Sequence, residues 1–328
     1  MRDVKHDGPS SKKTALLIAA VSAAIASSGC KTLDTAVESA RKIFVYVTTP
    51  CPLGTEYVVS TETGTPGLKK FTEKWCQRRD DHGERVRYGP YVELYEKGHK
   101  KESGQYAADG KRDGSWSRWY AGGQLEAVVK YDHGKPVSFS AWHENGMKWE
   151  EGGFDRGFKN GTWIRWYSNG QKEFEATYDH GVLDREYTLW HDNGQKQEHG
   201  VYKHGVREGM WVTWHPNGQR RTEILFHDDK PDDWYKAWHE NGQPSEQALF
   251  HAGKPEGMYT IWHDNGQKEE EGSYHDGQLD GKVTAWDREG HVWLKTEYKG
   301  GALANDPTAA PPAPPSQAGA PAVPADVK

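Results

Sequence analysis

Histidine is the residue type with the clearest potential for chemistry, since 16 histidines occur among 328 residues. Imidazole nitrogens ligate zinc, which needs its ligand atoms about 2.1 Å from one centre. One series follows a recurring tryptophan at regular intervals: His143, His191, His215, His239 and His263. A second series recurs at similar intervals: His133, His180, His204, His251 and His275. Repeats of two strands would hold equivalent histidines roughly 9–10 Å apart, so we interpret both series as solvent-facing turn residues without a metal.

Paired acids and activated nucleophiles are the other candidates for chemistry. Glutamate runs such as KEEEG at residues 268–272 have relatives in KWEEG and KEFEA elsewhere in the chain. Their recurrence favours a solvated face with Lys and Glu alternating across strands over an acid–base pair. The sequence contains no GxSxG motif, no P-loop and no GxGxxG loop after a strand. We therefore expect a protein without catalytic activity, cofactor or metal.

The amino-terminal stretch as far as Cys30 has the features of an export signal. Lys12 and Lys13 precede the apolar run TALLIAAVSAAIA, which is too short to span a bilayer, and SSGC ends at Cys30. The stretch resembles a bacterial lipoprotein signal, in which the cysteine is acylated and becomes the new amino terminus. The resemblance implies cleavage after residue 29, a lipid on Cys30 and, with Lys31 following, sorting to a Gram-negative outer membrane. A soluble exported protein or an uncleaved anchor is the alternative.

The two remaining cysteines form an even pair in an oxidising compartment. Cys51 and Cys76 are therefore predicted to be disulfide-bonded. Closing a loop of this length would stabilise the segment by about 3 kcal/mol. Two free buried thiols are the alternative interpretation.

The chain is organised by an internal repeat, to which these residues belong. WHDNGQK occurs at residues 190–196 and again at 262–268, with near-copies between them that set a period of 24. Nine glycines mark the same corner of nine copies: Gly98, Gly123, Gly146, Gly170, Gly194, Gly218, Gly242, Gly266 and Gly290. A period of this length is typical of small elements that stack on copies of themselves.

Each repeat is predicted to be a β-hairpin. Six of the nine corner glycines follow Asn, and Asn-Gly favours a type I′ turn. An aromatic residue stands eight positions after every corner glycine: Tyr106, Tyr131, Phe154, Tyr178, Tyr202, Phe226, Phe250, Tyr274 and Tyr298. Small residues such as Gly152 and Gly200 stand two positions before it, which would let a neighbouring ring lie over the backbone. The return corner, with two glycines in several repeats, is expected to be a wider turn.

Tryptophan is the second recurrent ring. It stands four positions before the corner glycine in eight repeats, and another aromatic stands seven positions before it in most. Two rings three residues apart, such as Trp163 and Trp166, would face opposite sides of a regular strand. Either a bulge brings them to one side or the sheet has rings on both faces.

The recurring pattern GxWxxW[HY]xNGQ resembles the bacterial variant of the MORN repeat, a family associated with antitoxin-like proteins. Examples are GTWIRWYSNGQ at residues 161–171 and GMWVTWHPNGQ at 209–219. Arg185, Asp233 and Val137 replace the first glycine of the pattern. The resemblance implies an all-β, elongated array of about nine 24-residue β-hairpins in a nearly single-layer, twisted sheet.

The sequence thus predicts five segments. They are a signal peptide at 1–29, a spacer at 30–50, a disulfide-closed hairpin at 51–88, the repeat array at 89–300 and a disordered Pro/Ala-rich tail at 301–328. Net charge is −6 with both signs interspersed, so no nucleic acid partner is expected.

The tryptophans are the candidate binding face, although they are equally candidates for the core of a sheet that is poor in aliphatic residues. We expect a non-enzymatic, lipid-anchored envelope protein whose repeat face binds a macromolecule. A glycan-binding module using the tryptophans, or an antitoxin-like neutraliser of a toxin, is the alternative. The candidate face comprises Trp116, Trp119, Trp142, Trp163, Trp166, Trp190, Trp211, Trp214, Trp238, Trp262 and Trp286.

Overall fold

The computed structural model describes residues 51–304 except residues 53 and 64–68. These residues form an all-β structure in two compact units, which divide between Gly146 and Met147. None of the described residues forms a helix, so the described segments include no helix that could cross a membrane. The predicted signal peptide, Cys30, the spacer and residues 305–328 of the predicted tail lie outside the described residues.

The N-terminal unit is a meander in which each strand pairs antiparallel with the next one. Its strands are β1 Glu56–Thr63, β2 Lys69–Arg79, β3 Arg85–Leu94, β4 Lys100–Tyr106, β5 Arg112–Trp119, β6 Leu125–Asp132 and β7 Lys135–Trp142. The disulfide hairpin is therefore continuous with the first repeats. Trp75 of β2 packs in one cluster with Val58, Tyr91 and Trp116.

The C-terminal unit has antiparallel pairing between successive strands as well, except that β18 pairs with both β19 and β20. Its last strand lies beyond residue 300, where the array was predicted to end. Its strands are β8 Lys148–Asp155, β9 Phe158–Trp166, β10 Lys172–Asp179, β11 Val182–Trp190, β12 Lys196–Lys203, β13 Val206–Trp214, β14 Arg220–His227, β15 Lys230–Trp238, β16 Pro244–His251, β17 Lys254–Trp262, β18 Lys268–His275, β19 Gln278–Leu279, β20 Gly281–Trp286, β21 Val292–Lys299 and β22 Ala302–Leu303.

The Asn-Gly corner is not the predicted type I′ turn. In the repeat with Gly170, the glycine has φ 85° but Asn169 does not have a positive φ. The N–H of Gly170 donates to the Tyr167 carbonyl and the N–H of Tyr167 donates to the Gln171 carbonyl, both at 2.9 Å, so three residues form the loop between Tyr167 and Gln171. Asn169 is used through its side chain instead. Its Oδ1 accepts the N–H of Gln171 at 2.9 Å and its Nδ2 donates to the carbonyl of Asp192 in the next repeat at 2.7 Å.

The return corner is the tighter turn, contrary to the prediction. Between β10 and β11 only His180 and Gly181 intervene, with φ values of 47° and 89°, as a type I′ turn requires. The Oδ1 of Asn160, twenty residues earlier, accepts the N–H of His180 at 3.3 Å. The second glycine of the pattern lies inside the following strand at positive φ. Arg185 occupies this position with φ 76°, which is strained for a residue with a side chain.

One face of each unit is a layer of buried rings, which we call the aromatic face, and the opposite face is the open face. The predicted ring column contributes to this layer. Edge-to-face contacts join Tyr202 to Trp211 with centroids 5.0 Å apart and Phe154 to Trp163 at 5.2 Å, as aromatic quadrupoles favour. The buried rings include Tyr91, Trp116, Trp163, Tyr178, Tyr187, Tyr202, Trp211, Phe226, Tyr235, Phe250, Tyr259, Tyr274 and Tyr298.

The predicted disulfide is confirmed. Cys51 and Cys76 are bonded, with their Cα atoms 5.6 Å apart, and Cys76 is buried in β2. The bond ties the residues before β1 to the first strand pair.

Replacing both cysteines by serine is expected to lower the free energy of unfolding of the N-terminal unit by about 3 kcal/mol, because the unfolded chain regains the entropy of an open 25-residue loop. Urea denaturation measures the change. Intact-mass analysis of the wild type after alkylation should show both thiols unmodified until a reductant is added. Alkylation of either thiol without reductant would contradict the bond.

Candidate functional site

The eleven candidate tryptophans lie on both faces of the sheet. Because Trp163 and Trp166 are three residues apart on one strand, they point to opposite sides. A bulge is present, but the extra residue is Glu173 on the partner strand, so it does not bring the two rings together. The open-face tryptophans are half-buried at strand ends, namely Trp119, Trp142, Trp166, Trp190, Trp214, Trp238, Trp262 and Trp286.

Three of the candidates belong to the core, so their assignment to a binding face is corrected. Trp116, Trp163 and Trp211 are only 1–2% exposed on the aromatic face. Each ring lies over a glycine of the preceding strand, and a Cβ on that glycine would stand 2.2–2.3 Å from the indole. The predicted pairing of a large ring with a small residue is thus present. The close approach excludes any side chain at those glycines.

A glutamate and a cation accompany each of these three tryptophans. Glu150 and Glu198 are buried, and the Glu102 side chain is 18% exposed. Glu198 is 4% exposed, and the Arg207 guanidinium lies 6.0 Å from the Trp211 centroid and 3.9 Å from that of Phe226. The sets are Glu102–Gly104–Arg112–Trp116, Glu150–Gly152–Lys159–Trp163 and Glu198–Gly200–Arg207–Trp211. In the first set Arg112 bonds Glu102 at 3.0 Å, and in the second Lys159 lies 3.5 Å from Glu150.

The glutamates of these sets recur at twice the period of the turn motif, so the packing repeat is two hairpins rather than one. Up to Thr222 the intervening hairpins hold apolar or smaller polar groups at the same positions, such as Phe174, Leu183 and Tyr187. The alternation ends at Glu270, which stands at the glutamate position of the hairpin after that of Glu246. The signal was present in the sequence as the series Glu102, Glu150, Glu198 and Glu246. It was missed because the shorter motif is defined by turn residues, which are the same in both kinds of hairpin.

Burial makes two of these glutamates weak acids. It raises the pKa of Glu198 from 4.5 to about 8, against the opposing effect of Arg207. Burial also raises the pKa of Glu246 to about 7, and Pro255 stands where the other sets have a cation. One carboxyl oxygen of Glu246 has no hydrogen-bond partner in the described structure. Both carboxyls thus favour the protonated form in the folded protein.

Glu198 is expected to make the protein less stable as pH rises from about 4.5 to about 8. The unfolded glutamate releases its proton near pH 4.5 and the folded one near pH 8, so the folded state binds more protons in this window. The loss is about 5 kcal/mol at most. Glu198→Gln should flatten this dependence in urea titrations, leaving the smaller contribution of Glu246, whereas Glu223→Gln on the open face should not. An unchanged slope in Glu198→Gln would contradict the assignment.

Lysines lie over the open-face tryptophans. Five of the nine corner glycines are followed two positions later by a lysine, which extends across the tryptophan ring of the next repeat. Its Nζ lies 5.4 Å from the Trp190 centroid for Lys172 and 5.9 Å from that of Trp214 for Lys196. Lys172 also bonds Glu175 at 2.6 Å. The open face therefore has the alternating charges that the sequence predicted, with tryptophan between them.

The histidines that follow these tryptophans are not solvent-facing, contrary to the prediction. His215 Nε2–H donates to the carbonyl of Trp238 in the next repeat at 2.8 Å, and His239 does the same to Trp262. A carbonyl only accepts, so Nε2 holds the proton. In an earlier repeat Tyr167 makes the equivalent bond to Trp190 through its hydroxyl. These side chains join successive repeats.

His215→Ala is expected to lower the free energy of unfolding by about 1–2 kcal/mol, because the Trp238 carbonyl loses a half-buried partner. His215→Tyr should retain most of the stability, since tyrosine makes this bond at Tyr167. His204→Ala is the control: its side chain is 82% exposed, so the change should stay within about 0.5 kcal/mol. Urea denaturation checks all three. Equal effects of the two alanine variants would contradict the structural role of His215.

The return-corner histidines are exposed and lie beside acids. His180 contacts Asp179 at 2.6 Å and Asp155 at 3.0 Å, and the hydrogen bond to Asp179 raises its pKa. Asp113, Asp132 and His133 form the trio within the described residues whose ligand atoms lie within 4.8 Å of one another. These contacts belong to the turn itself. The Nδ1 atom of His133 lies 2.7 Å from the Asp132 carboxylate, and the backbone N–H of His133 donates to the Asp113 carboxylate at 3.4 Å.

Comparison with known proteins finds one repeat family. The MORN repeat variant matches residues 159–180, 207–228 and 255–276. Successive matches are separated by two periods of the turn motif, which is also the spacing of the buried glutamates. No curated protein matches the sequence.

One solved structure shows slight similarity to this chain. A chain in the "Crystal Structure of TcdB2-TccC3" aligns with 75% of this chain at 7% identity and a TM-score of 0.18, and the alignment covers 17% of that chain. A likeness of this size supports no inference about fold or function. The family matches and the hairpins at the same positions show that this protein contains three copies of the MORN repeat variant.

Proposed function

We propose that the protein is a non-enzymatic scaffold that binds a protein partner through one end of its open face. This end, which we call the turn end, lies next to the corner glycines. The observation that supports this proposal is the recurrence of a half-buried tryptophan at the same place in eight repeats, with a lysine over the ring in five of them, three of which are successive. A row of similar sites suits an extended macromolecule better than a small ligand. The buried titratable groups described above are packed within the aromatic layer and are therefore separated from this row.

A protein is favoured over a glycan because of what covers the rings. Lysine side chains lie across tryptophans such as Trp190 and Trp214, and a sugar would have to displace them to stack. A protein surface can contact the lysine, the neighbouring glutamate and the ring edge together. The glycan-binding function, for which tryptophans in register are the only support, is the second candidate. An antitoxin role rests on the associations of the repeat family alone.

The binding experiment compares two double variants of the full chain. Lys172→Glu/Lys196→Glu changes the lysines over Trp190 and Trp214. Lys203→Glu/Lys230→Glu is the matched control, because these two lysines are exposed and lie next to the return corners, at the other end of the strands. Each immobilised protein is incubated with envelope extract, and the captured proteins are quantified by mass spectrometry. We expect saturable capture by the wild type and the control, reduced at least tenfold in the first variant.

Two outcomes would contradict the protein-binding proposal. Equal capture by both double variants would place the site elsewhere than the turn end of the open face. Co-sedimentation with insoluble cell-wall glycan, without saturable protein capture, would favour the glycan-binding function instead.

We also propose that the chain is exported and anchored by lipid on Cys30. The support is the sequence SSGC after a short apolar run, together with a disulfide in the mature part of the chain. Labelled palmitate should enter the wild type and not Cys30→Ser, and the variant should leave the membrane fraction. Membrane association of Cys30→Ser and absence of label in the wild type would contradict the anchor.

A further inference from the structure

The open face of the C-terminal unit has an apolar stripe across five neighbouring strands, β13 to β17. We define the stripe as Met210, Leu225, Trp234, Leu249 and Met258. Register pairs Met210 with Leu225 and Trp234 with Leu249. Three of these side chains are well exposed: Met210 by 47%, Trp234 by 38% and Met258 by 53%.

The chain neighbours of the stripe confirm that it lies on the open face. Trp211, Tyr235 and Tyr259 each follow a stripe residue and are 1–5% exposed in the aromatic layer. Since successive side chains alternate between faces, the preceding residues point away from that layer. The stripe therefore consists of apolar groups that the fold of one chain leaves in contact with water.

The order of residues across the strands is symmetric about Trp234. Reading outwards in either direction gives leucine and then methionine. Charged residues of opposite sign stand four strands from Trp234, with Glu186 on β11 and Lys282 on β20, and both are exposed. Register joins these residues in pairs, and it shifts at bulges between the pairs, so that Val201 pairs with Glu208 rather than with Met210. Lys282 pairs with Glu297 of β21. The row across the strands is Glu186, Val201, Met210, Leu225, Trp234, Leu249, Met258, Ser273 and Lys282.

We propose that this stripe binds a second copy of the chain, through a twofold axis that runs parallel to the strands and passes through Trp234. Such an axis places each residue opposite the one at equal distance on the other side of Trp234. Met210 of one copy meets Met258 of the other, Leu225 meets Leu249, and the two Trp234 rings meet each other. Glu186 meets Lys282 at both ends of the row, so the charges are complementary.

A second twofold axis is possible in the plane of the interface, perpendicular to the strands, but charge repulsion disfavours it. It would place each residue opposite its own copy, so that Glu186 would face Glu186 and Lys282 would face Lys282. Like charges held together at an interface oppose association. The apolar residues alone permit both axes, and the terminal charges select the first.

The size of the row predicts a weak dimer. Nine strands about 4.8 Å apart span roughly 38 Å, and one row of side chains is about 10 Å wide. This gives roughly 400 Å² for each copy, about half of what a stable interface buries. Neighbouring rows would have to add to the contact. We therefore expect a dissociation constant on the order of 10 μM.

Sedimentation velocity of the full chain with Cys30→Ser, over about 1–300 μM, tests the dimer. Dimerisation is expected in this range, and Trp234→Asp should weaken it at least about 100-fold because a charge would face its own copy at the axis. Val292→Asp is the matched control, since Val292 is 46% exposed on β21 outside the stripe. A wild type that stays monomeric, or a Trp234→Asp variant that dimerises as tightly as the control, would overturn the proposal.

Charge reversal at two exposed positions tests the axis without disturbing the fold. Glu186→Lys and Lys282→Glu should each weaken the dimer about tenfold, because both variants place like charges opposite each other. The double variant Glu186→Lys/Lys282→Glu should return to within about threefold of the wild type, since the pair is restored between copies. If the double variant is weaker than both single ones, the proposed axis is wrong. The result is independent of the partner-binding proposal, whose tryptophans lie four residues away along the strands.

Discussion

Trp211→Ala is expected to lower the free energy of unfolding of the C-terminal unit by about 4 kcal/mol. The ring is 1% exposed and contacts rings from both neighbouring strands, with centroids 5.0 Å from Tyr202 on β12 and 6.3 Å from Phe226 on β14. Removing it leaves a cavity between strands that no second layer can fill. Urea denaturation followed by circular dichroism measures the loss.

The matched control for this prediction is Trp293→Ala, because Trp293 is 67% exposed. Its change should stay within about 0.5 kcal/mol. The loss at Trp211 should also be local to the neighbouring hairpins, since repeats contact mainly their neighbours. Hydrogen exchange should therefore be fastest around β12 to β14. Similar losses in the two variants would mean that the buried layer is not what stabilises the array.

Gly200→Ala is expected to cost about 3 kcal/mol, although alanine is a mild change elsewhere. The φ of Gly200 is not in the positive range, so the backbone accepts a side chain, but its Cβ would stand 2.2 Å from Trp211. The indole or the strand must therefore move, and overpacking of this kind is destabilising.

A second substitution should partly rescue this variant. Elsewhere in the array alanine faces tyrosine, as Ala176 pairs with Tyr187 and Ala248 with Tyr259. Gly200→Ala/Trp211→Tyr should therefore be more stable than the sum of its single variants predicts, by at least about 1 kcal/mol. If the two losses are simply additive, the idea that alanine at this position requires the smaller tyrosine ring opposite it is wrong.

Much of the fold could be predicted from the sequence because its signals are local. Turn glycines and alternating aromatic positions define strands within a few residues, and the period of the turn motif then fixes the number of hairpins. The disulfide followed from the number of cysteines and the expected compartment. These features depend on residues close together in the chain, on the number of repeats or on the number of cysteines.

The candidate site was predicted less well because burial depends on what lies on the adjacent strands. Sequence reasoning grouped Trp163 with Trp166, although one is buried over Gly152 and the other lies under a lysine on the open face. It also took His215 for a solvated residue, because its acceptor belongs to the next repeat, 23 residues away.

By itself the sequence determined an all-β array of repeated hairpins with an aromatic column, since backbone geometry and turn chemistry act over a few residues. Only the tertiary structure decided which corner forms the type I′ turn, since the backbone N–H of His180 donates to Asn160 of β9, which is 20 residues away in the chain. It also decided that the packing repeat is two hairpins rather than one. The carboxyl of Glu198, the guanidinium of Arg207 that acts on its pKa and the glycine that admits the Trp211 ring come from two strands, and only the stacking of strands brings these groups together.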